Sequence, residues 1–242
     1  ESLTGAIAAI GADEIATTKT ENLISNIQGK MPGLLIRQKT GEPGTFDNMV
    51  SIRGYGDPLV VIDGITREGT EELAQLNSED IESISILKDA SATSIYGARG
   101  ANGVVLVTTK QGKSGKPKVS IGAKFTLQQV TKKMDMLNSV QLAELANEVA
   151  DNDGVERNPV FAGLNNLSKI NTDWQDEIFR TAPMQNYDIS VSGGNDKTTY
   201  FISGNLLLQD GIIIGSDFGK GSFRVNLNQQ INKWLKAGIS TN

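Results

Sequence analysis

The sequence contains neither histidine nor cysteine among its 242 residues. These absences exclude a Ser-His-Asp or Cys-His nucleophile pair, an imidazole or thiolate metal site, and any disulfide bond. The side chain that most readily exchanges a proton near neutral pH is also missing. Any chemistry would depend on carboxylates, lysine, tyrosine or serine. We therefore expect that the chain is not an enzyme and needs no cofactor or metal.

Aromatic residues and long apolar runs are also scarce, and the net charge is small. Aromatic residues make up 5% of the chain, and 23 Lys and Arg residues oppose 28 Asp and Glu residues, for a formal net charge of -5. This mildly acidic, mixed charge offers no basic surface for nucleic acid. No run approaches about 18 consecutive apolar residues, so no transmembrane helix is expected.

Glycine is the residue in excess. The chain has 26 glycines in 242 residues, which is about 11% against an average usage of about 7%. Tight turns, bulges and close backbone approaches use glycine, so this excess favours β structure over helical bundles.

Residues 1–113 predict a compact mixed α/β unit. Thr20 can cap a short helix over residues 21–27, which Pro32 and Gly33 would end. A second short helix over residues 89–96 has Asp89 as its candidate cap. Apolar runs bounded by turn-forming residues predict five strands: Leu34–Ile36, Val50–Ile52, Leu59–Ile62, Ile84–Leu87 and Val104–Val107.

The apolar pattern changes to a period of two after the glycine-rich segment 111–117, which we take as a flexible domain boundary. Alternation over about 10 residues is typical of transmembrane β-strands, with apolar residues facing lipid and polar residues facing the lumen. An ordinary antiparallel sandwich also alternates, and the alternation alone favours it. The alternating segments are Val119–Leu127, Tyr187–Val191, Tyr200–Leu208, Phe223–Leu227 and Leu235–Ile239.

The links between these segments add weight to the barrel interpretation. The first link, residues 130–186, is very long and contains a predicted helix at Val140–Ala150 with Ser139 as its cap. Tight turns are predicted at residues 193–196 and 232–233, and a link of about a dozen residues after Asp210. Alternation of long extracellular loops with short periplasmic turns is typical of outer-membrane barrels. Both interpretations stay open on these observations.

Three motifs are similar to known sites, and each has a more ordinary interpretation. Gly97–Gly103 has neither dinucleotide-binding nor Walker spacing and a strand follows it, so we predict a structural turn. Asp151–Gly154 is similar to the start of a calcium loop, but Ala162 stands where the bidentate glutamate belongs, so we predict an exposed polar loop. The carboxylates of residues 173–177 lie on one short segment, which predicts a solvated loop or helix face rather than a glycosidase pair.

Two charged residues follow directly on apolar strands. Asp63 comes after Leu59–Ile62 and is expected to close a turn. Arg53 comes after Val50–Ile52, and we expect it to pair with acids from another element because a cation beside a buried strand needs a partner. Neither residue assembles a catalytic site.

Several stretches together resemble the plug domain of TonB-dependent outer-membrane transporters. The later stretches resemble the SusC/RagA-like branch found in Bacteroidetes in particular. The resemblance covers nearly the whole chain, and its most specific part is the combination of residues in Ile84–Val104. The stretches are Ser51–Gly54, Pro58–Gly64, Ile81–Gly97, Arg99–Val104, Thr172–Arg180 and Tyr187–Gly194.

The resemblance implies an α+β plug, a small mixed sheet with short helices, over residues 1–113. Residues 114–242 would then be the first strands of an incomplete 22-stranded transmembrane barrel. The implied function is nutrient import across the outer membrane, with oligosaccharides or peptides as substrates. The implied partners are periplasmic TonB, which supplies energy, and a SusD-like surface lipoprotein. The alternative is a secreted β-rich adhesin or glycan-binding module.

The resemblance also implies roles for particular residues. Arg53 and Gly54 would lock the plug to the barrel wall. The loop of Tyr55, Gly56 and Asp57 would face the substrate cavity. The structural turns of the plug motifs would be formed by Asp63, Gly64, Tyr96, Gly97, Arg99, Gly100 and Gly103.

The chain departs from the family in ways that predict a piece cut at both ends. Five strands cannot close a barrel, since the smallest bacterial barrels have about 8. No TonB-contacting segment is visible before Ser2–Gly5, and no regulatory domain precedes it. An open sheet exposes an apolar face and unpaired edges. We therefore expect an ordered plug, with strand segments displaced or paired between molecules, although the isolated piece can still be soluble.

Overall fold

The structure is a computed structural model that describes residues 7–18, 20, 22–67, 69–89, 94–161 and 171–241. The strands β1 to β12 are, in chain order, Ile7–Gly11, Leu34–Gln38, Asn48–Ile52, Leu59–Ile62, Ile65–Arg67, Ile81–Leu87, Val104–Thr109, Gly115–Gln128, Ala182–Gly194, Thr198–Asp210, Asp217–Gln230 and Lys236–Thr241. The helices α1 to α5 are Ala12–Ile15, Leu23–Ile27, Glu71–Gln75, Ser139–Asp153 and Trp174–Ile178. Short 3₁₀ helices occupy Ser78–Asp80, Ser94–Gly100 and Pro159–Phe161.

The first seven strands and α1 to α3 form what we call the N-terminal fold. Its main sheet has the order β1-β6-β7-β4-β5, with β4 and β7 parallel and the other pairs antiparallel. Strands β2 and β3 pair separately as a two-stranded sheet. The predicted mixed sheet with short helices is confirmed. Prediction missed β1 and β5, because β1 is alanine-rich and does not alternate, and β5 has only three residues.

The core of the N-terminal fold explains its continuous apolar runs. All four residues of β4 are buried, because successive side chains point to opposite faces and both faces are covered. On one face, Val60 and Ile62 join the larger core with α2, whose Leu23, Ile24 and Ile27 are at most 1% exposed. On the other face, Leu59 and Val61 pack in a smaller cluster with Leu87 and Val104.

Two of the three predicted helix caps differ by one or two residues from the observed ones. Asn22, not Thr20, caps α2, and its side chain accepts a hydrogen bond from the Ile24 amide at 2.9 Å. Asn138, not Ser139, caps α4 and forms a capping box with Gln141. Asparagine is at least as good a cap as serine or threonine, and here it stands nearer the true start. Residues 90–93 of the predicted helix after Asp89 lie outside the described residues, and the 3₁₀ helix starts at Ser94.

The last five strands form one antiparallel sheet, which we call the wall sheet, in the order β12-β11-β10-β9-β8. The long pairing of β10 with β11 runs from Thr198 opposite Gln229 to Asp210 opposite Asp217. All five predicted segments are strands. The expectation that they would be displaced or paired between molecules was wrong, because each pairs with its neighbour along the chain.

The burial pattern of the wall sheet differs from that of a soluble sandwich. On one face of β10, Ser203 and Gln209 are buried together with Phe201 and Leu207, whereas Leu206 and Leu208 on the other face are 45% and 43% exposed. On β8, Ile121 is 76% exposed. An ordinary sandwich buries its apolar face, whereas an apolar outer face with a polar inner face is typical of barrel strands. This pattern resolves the choice that alternation alone left open.

The links in the wall sheet are shorter than predicted in one place. Strands β10 and β11 extend to Asp210 and from Asp217, so their link has only the six residues 211–216 instead of about a dozen. Glycines near the start of β11 weaken its apolar alternation. The sequence therefore predicted a later start for this strand. Only the residues 110–114 join β7 to β8.

Across the described ranges, no helix is long and apolar enough to cross a bilayer.

Residues 127–183 and 211–216 form a separate compact unit. Within it, the Arg180 guanidinium donates to the Gly211 carbonyl at 2.9 Å and to the Ser216 carbonyl at 3.2 Å. The Gln175 side chain bonds both the amide and the carbonyl of Met134. The Arg180 contacts hold the 211–216 turn within this unit, and the Gln175 contacts hold the backbone of Met134 against α5.

Gly103 gives a test of packing in the N-terminal fold. Its φ is +95°, and an added Cβ would lie 2.6 Å from Ile52 Cδ1 and 3.1 Å from the Leu87 carbonyl oxygen. We expect Gly103→Ala to destabilise the fold by about 2–4 kcal/mol, because backbone strain and overpacking act together. Hydrogen exchange of the β4 and β7 amides measures the loss.

The matched control is Gly69→Ala. Gly69 also has a positive φ, +78°, but its added Cβ would meet nothing within 4 Å. Only the backbone cost of about 1–2 kcal/mol is expected there. Equal losses for the two variants would contradict the role of close packing at Gly103.

Candidate functional site at the interface of the two sheets

Arg53 and Gly54 form a two-residue turn after β3. Their φ angles are 55° and 82°, and the Tyr55 amide donates to the Ile52 carbonyl at 3.1 Å. The Arg53 guanidinium lies 3.2 Å from the carboxylate of Asp89, which follows β6. Arg53 therefore pairs with an acid from another element, as expected. That acid belongs to the N-terminal fold, so locking to the wall by Arg53 stays a prediction.

The loops 54–57 and 94–103 meet at one end of the N-terminal fold. The Asn102 side-chain amide donates to the Asp57 carbonyl at 3.3 Å, and an added Cβ on Gly56 would lie 3.2 Å from the same amide nitrogen. Tyr55 is 63% exposed beside this contact. The arrangement leaves an aromatic ring on the surface of a fixed loop, and its proposed contact with substrate stays a prediction.

The remaining plug-motif residues lie in the 3₁₀ helix Ser94–Gly100 or, for Gly103, just after it, and their role as the structural turns of the plug motifs stays a prediction. Gly97 has a φ of 62° at the kink of the 94–100 segment, and the Gly103 amide donates to the Gly100 carbonyl at 2.9 Å. Tyr96 packs against the smaller apolar cluster, whereas Arg99 is exposed.

Asp63 and Gly64 form the tight turn between β4 and β5. Their φ angles are 49° and 85°, which is the type I′ geometry that an Asp-Gly pair favours in two-residue hairpins. The Asp63 carboxylate also accepts from the Thr109 amide at 2.8 Å and from the Thr109 hydroxyl at 2.6 Å. The turn is thereby joined to the end of β7.

A buried arginine on the wall sheet faces this turn. Arg224 on β11 is 3% exposed, and its Nη1 lies 3.7 Å from Asp63 Oδ2 while its Nε lies 3.8 Å from Asp80 Oδ2. Two carboxylates of the N-terminal fold therefore flank one wall cation. A buried charge requires such partners, because removing it from water is costly. Sequence reasoning missed Arg224, and its only signal is an arginine on the polar face of an alternating strand.

Asn226, two residues further along the same face of β11, binds the end of β7. Its side-chain amide donates to the Lys110 carbonyl at 2.9 Å and contacts the Thr109 hydroxyl at 3.4 Å. Its carbonyl oxygen accepts from the Ser240 hydroxyl on β12 at 2.6 Å. Thr109 therefore contacts both the Asp63 turn and the wall sheet.

Aromatic contacts continue the interface toward the start of β11. The rings of Phe46 and Phe218 meet edge to face with centroids 5.8 Å apart, and Lys220 Nζ lies 5.9 Å from the Phe46 centroid. An added Cβ on Gly44 would lie 2.3 Å from the Phe218 ring, so only glycine fits there. Lys124 on β8 also forms an ion pair with Glu79.

Comparison with known proteins identifies the family of the chain. Residues 1–104 match the family model of the TonB-dependent Receptor Plug Domain. The TonB-dependent receptor SusC of Bacteroides thetaiotaomicron is 36% identical over 238 residues, which cover 93% of this chain and 23% of that protein. The TonB-dependent receptor P26 of Formosa agariphila is 36% identical over 249 residues, covering 99% of this chain and 25% of that protein.

A solved structure of the RagAB peptide importer in its closed-closed state superposes with a TM-score of 0.82 at 28% identity. The superposition covers 100% of this chain and 32% of that one. The chain belongs to the SusC/RagA-like TonB-dependent receptors. The N-terminal fold is their plug, and the wall sheet is the first part of their barrel. The chain spans about a quarter of the length of the curated relatives that it matches.

The siderophore receptor PirA of Acinetobacter baumannii shares the fold more distantly. Its structure superposes with a TM-score of 0.62 at 18% identity. This likeness is evidence for the plug-and-wall fold alone.

The arrangement described above holds the plug and the wall sheet together through ion pairs and hydrogen bonds. Among the described residues, no group of three or more acidic side chains could hold a metal ion. Asp151–Asp153, expected as an exposed loop, is instead the last turn of α4, which Gly154 ends in the left-handed conformation. Asp173 is the N-cap of α5.

The domain boundary predicted between residues 113 and 114 stays a prediction.

Burial raises the pKa of the Asp80 carboxyl above its ordinary value of 3.8. Ser203, Arg224 and Lys110 act in the opposite direction, and the nearby Glu79 adds to the rise. Asp80 is thus a weakly solvated carboxyl group whose charged form is favoured by cations of the wall sheet and of the link to it.

Arg224→Met is the first test of this interface. The substitution replaces the guanidinium with a shorter, uncharged, unbranched side chain and leaves Asp63 and Asp80 without their shared cation, so seating of the plug should weaken by about 3–5 kcal/mol. Faster hydrogen exchange at the Thr109 amide would report it. In the double variant with Asp80→Asn the loss should be smaller than the sum of the two single losses.

Lys236→Met on the exposed β12 strand is the matched control for charge removal. It should leave exchange at Thr109 unchanged. Strict additivity of the Arg224 and Asp80 substitutions would contradict their direct coupling.

The raised pKa of Asp80 predicts a pH dependence of stability. From about pH 3.8 up to the raised value, the folded protein binds more protons than the unfolded chain. The free energy of unfolding should therefore fall as pH rises through this window and level off above it. Urea unfolding over a pH series should show that Asp80→Asn removes this contribution.

Asp13→Asn, at an exposed carboxyl of α1, is the control. In this variant the free energy of unfolding should depend on pH as it does in the wild type. An Asp80→Asn variant with an unchanged slope would show that another group carries the effect.

Proposed function

We propose that the full-length receptor imports oligosaccharides or peptides across the outer membrane, with the plug gating the barrel lumen. The observation that carries this proposal is the wall sheet, which exposes apolar side chains outward and holds the plug on its polar face through Arg224 and Asn226. A fixed plug inside a lipid-facing wall blocks passive diffusion, so transport would require energy to move it.

The partners of the proposal are periplasmic TonB as energiser and a SusD-like surface lipoprotein as the substrate-capturing partner. Support comes from the relatives, which are TonB-dependent receptors, and from RagAB, which is described as a peptide importer. The relatives named above give no support to the alternative of a secreted adhesin.

Energised uptake tests the proposal. Cells lacking the gene should fail to accumulate labelled oligosaccharides or peptides that the parent strain takes up, and the restored gene should recover uptake. An uncoupler that collapses the proton gradient should abolish uptake without abolishing surface binding. Uptake that survives the uncoupler, or a deletion with no effect on any member of an oligosaccharide and peptide panel, would overturn it.

Gating by the plug is tested separately through passive leak. Arg53→Ala removes the ion pair with Asp89, and if Arg53 helps to seat the plug, entry of a large antibiotic should increase. Arg37→Ala, an exposed arginine on β2, is the matched control. Equal leak in the two variants would remove Arg53 from the seating mechanism but leave energised import intact.

A further inference from the structure

A basic cleft lies between the plug and the first two strands of the wall sheet. Its volume is about 500 Å³. Glu82 is the one carboxylate among the described residues that line it. The cationic and hydroxyl side chains that line the cleft are Lys110, Lys113, Lys116, Lys118, Ser114, Ser120, Ser190 and Ser192. The cleft is therefore lined mainly by hydrogen-bond donors, with an excess of positive charge.

The strand periodicity places these donors on one surface. Lys116, Lys118 and Ser120 share one face of β8, because alternate residues of a strand point the same way. Ser190 and Ser192 share one face of β9, the neighbour of β8 in the sheet. All five line the cleft, so two adjacent strands present ammonium and hydroxyl groups side by side.

The other face of β8 is apolar and points away from the plug. Val119 and Ile121 on that face are 58% and 76% exposed. Lipid would contact this face, whereas the lysines line a cleft on the plug side. The position therefore favours a ligand from the aqueous lumen over a lipid headgroup.

Two of the lysines in the cleft form no ion pair with any residue that the structure describes. Lys113 forms an ion pair with Glu82 at 3.1 Å, and Lys110 lies near the buried Asp80. Among the described residues, neither Lys116 nor Lys118 has a carboxylate within 4 Å. Their charges face the cleft with serine hydroxyls beside them. Ammonium groups and hydroxyls in a concave site are the donors that an oxyanion binds.

We propose that this cleft binds the phosphate or sulfate group of a soluble ligand. Lys116 and Lys118 supply the charge, and Ser190 and Ser192 supply neutral donors to the remaining oxygens. The ligand is held by ion pairing and hydrogen bonds alone, with no covalent step. The four side chains proposed to bind the ligand take no part in the Arg224 interface, and the test of the site does not require transport.

Titration calorimetry of the full-length receptor in detergent with inorganic pyrophosphate tests the proposal, with ionic strength held constant by sodium chloride. Wild type should bind pyrophosphate saturably. Lys116→Gln with Lys118→Gln should weaken binding at least about tenfold, because two charge-assisted hydrogen bonds are lost. Lys116→Arg with Lys118→Arg should retain binding, which separates charge from side-chain identity.

Lys132→Gln with Lys133→Gln is the matched control. These adjacent lysines lie outside the cleft, and their removal changes net charge by the same amount. Their binding should equal wild type. Equal weakening in both double variants, or no saturable binding by wild type, would overturn the proposal.

Ser190→Ala with Ser192→Ala gives a second reading if the lysine variants do not assemble. Loss of the neutral donors should weaken pyrophosphate binding with the charge intact, and unchanged affinity would count against the site. Nanodiscs with and without anionic phospholipid form the last arm. Binding that is competed away by anionic phospholipid would assign the cleft to a headgroup and overturn the soluble-ligand proposal.

Discussion

The burial of Arg224 between two carboxylates constrains the rest of this structure. A cation that is 3% exposed on the polar face of a strand is tolerable only where another element brings negative charge to it. The Asp63 turn and Asp80 supply that charge from separate parts of the plug. The hairpin turn, the end of β7 and the centre of β11 must therefore fold into one arrangement. A plug without the wall would leave both carboxylates without the Arg224 guanidinium.

The sequence predicted most strands because their signals are local. Continuous apolar runs identified β4 and β7, and alternation identified β8 to β12. The limits of β11 were wrong because Gly219 and Gly221 carry no apolar signal, although backbone pairing with β10 extends through both. Short or alanine-rich strands such as β5 and β1 acquire their structure from neighbours and not from their own pattern.

The interface could not be predicted in the same way, because its partners are remote in the chain. Thr109 and Asn226 are 117 residues apart, and no local pattern states that they meet. Motif resemblance identified Asp63 and Gly64 as a turn but directed attention to Arg53 as the contact with the wall. In the structure Arg53 has its ion pair inside the plug, and the wall supplies an arginine of its own. The polarity of the contact, with plug acids against wall cations, follows from three-dimensional placement alone.

The short link between plug and wall limits how far the two can separate. Residues 110–114 span at most about 20 Å when fully extended from the end of β7 to the start of β8. Part of that length is already bound, since the Lys110 carbonyl accepts from Asn226 and Gly112 lies against the backbone of Tyr200. The plug is thus tethered close to β8 at its own C-terminal end. Any separation of the plug from the wall would therefore be smallest at the end of β7 and could be larger for segments earlier in the chain.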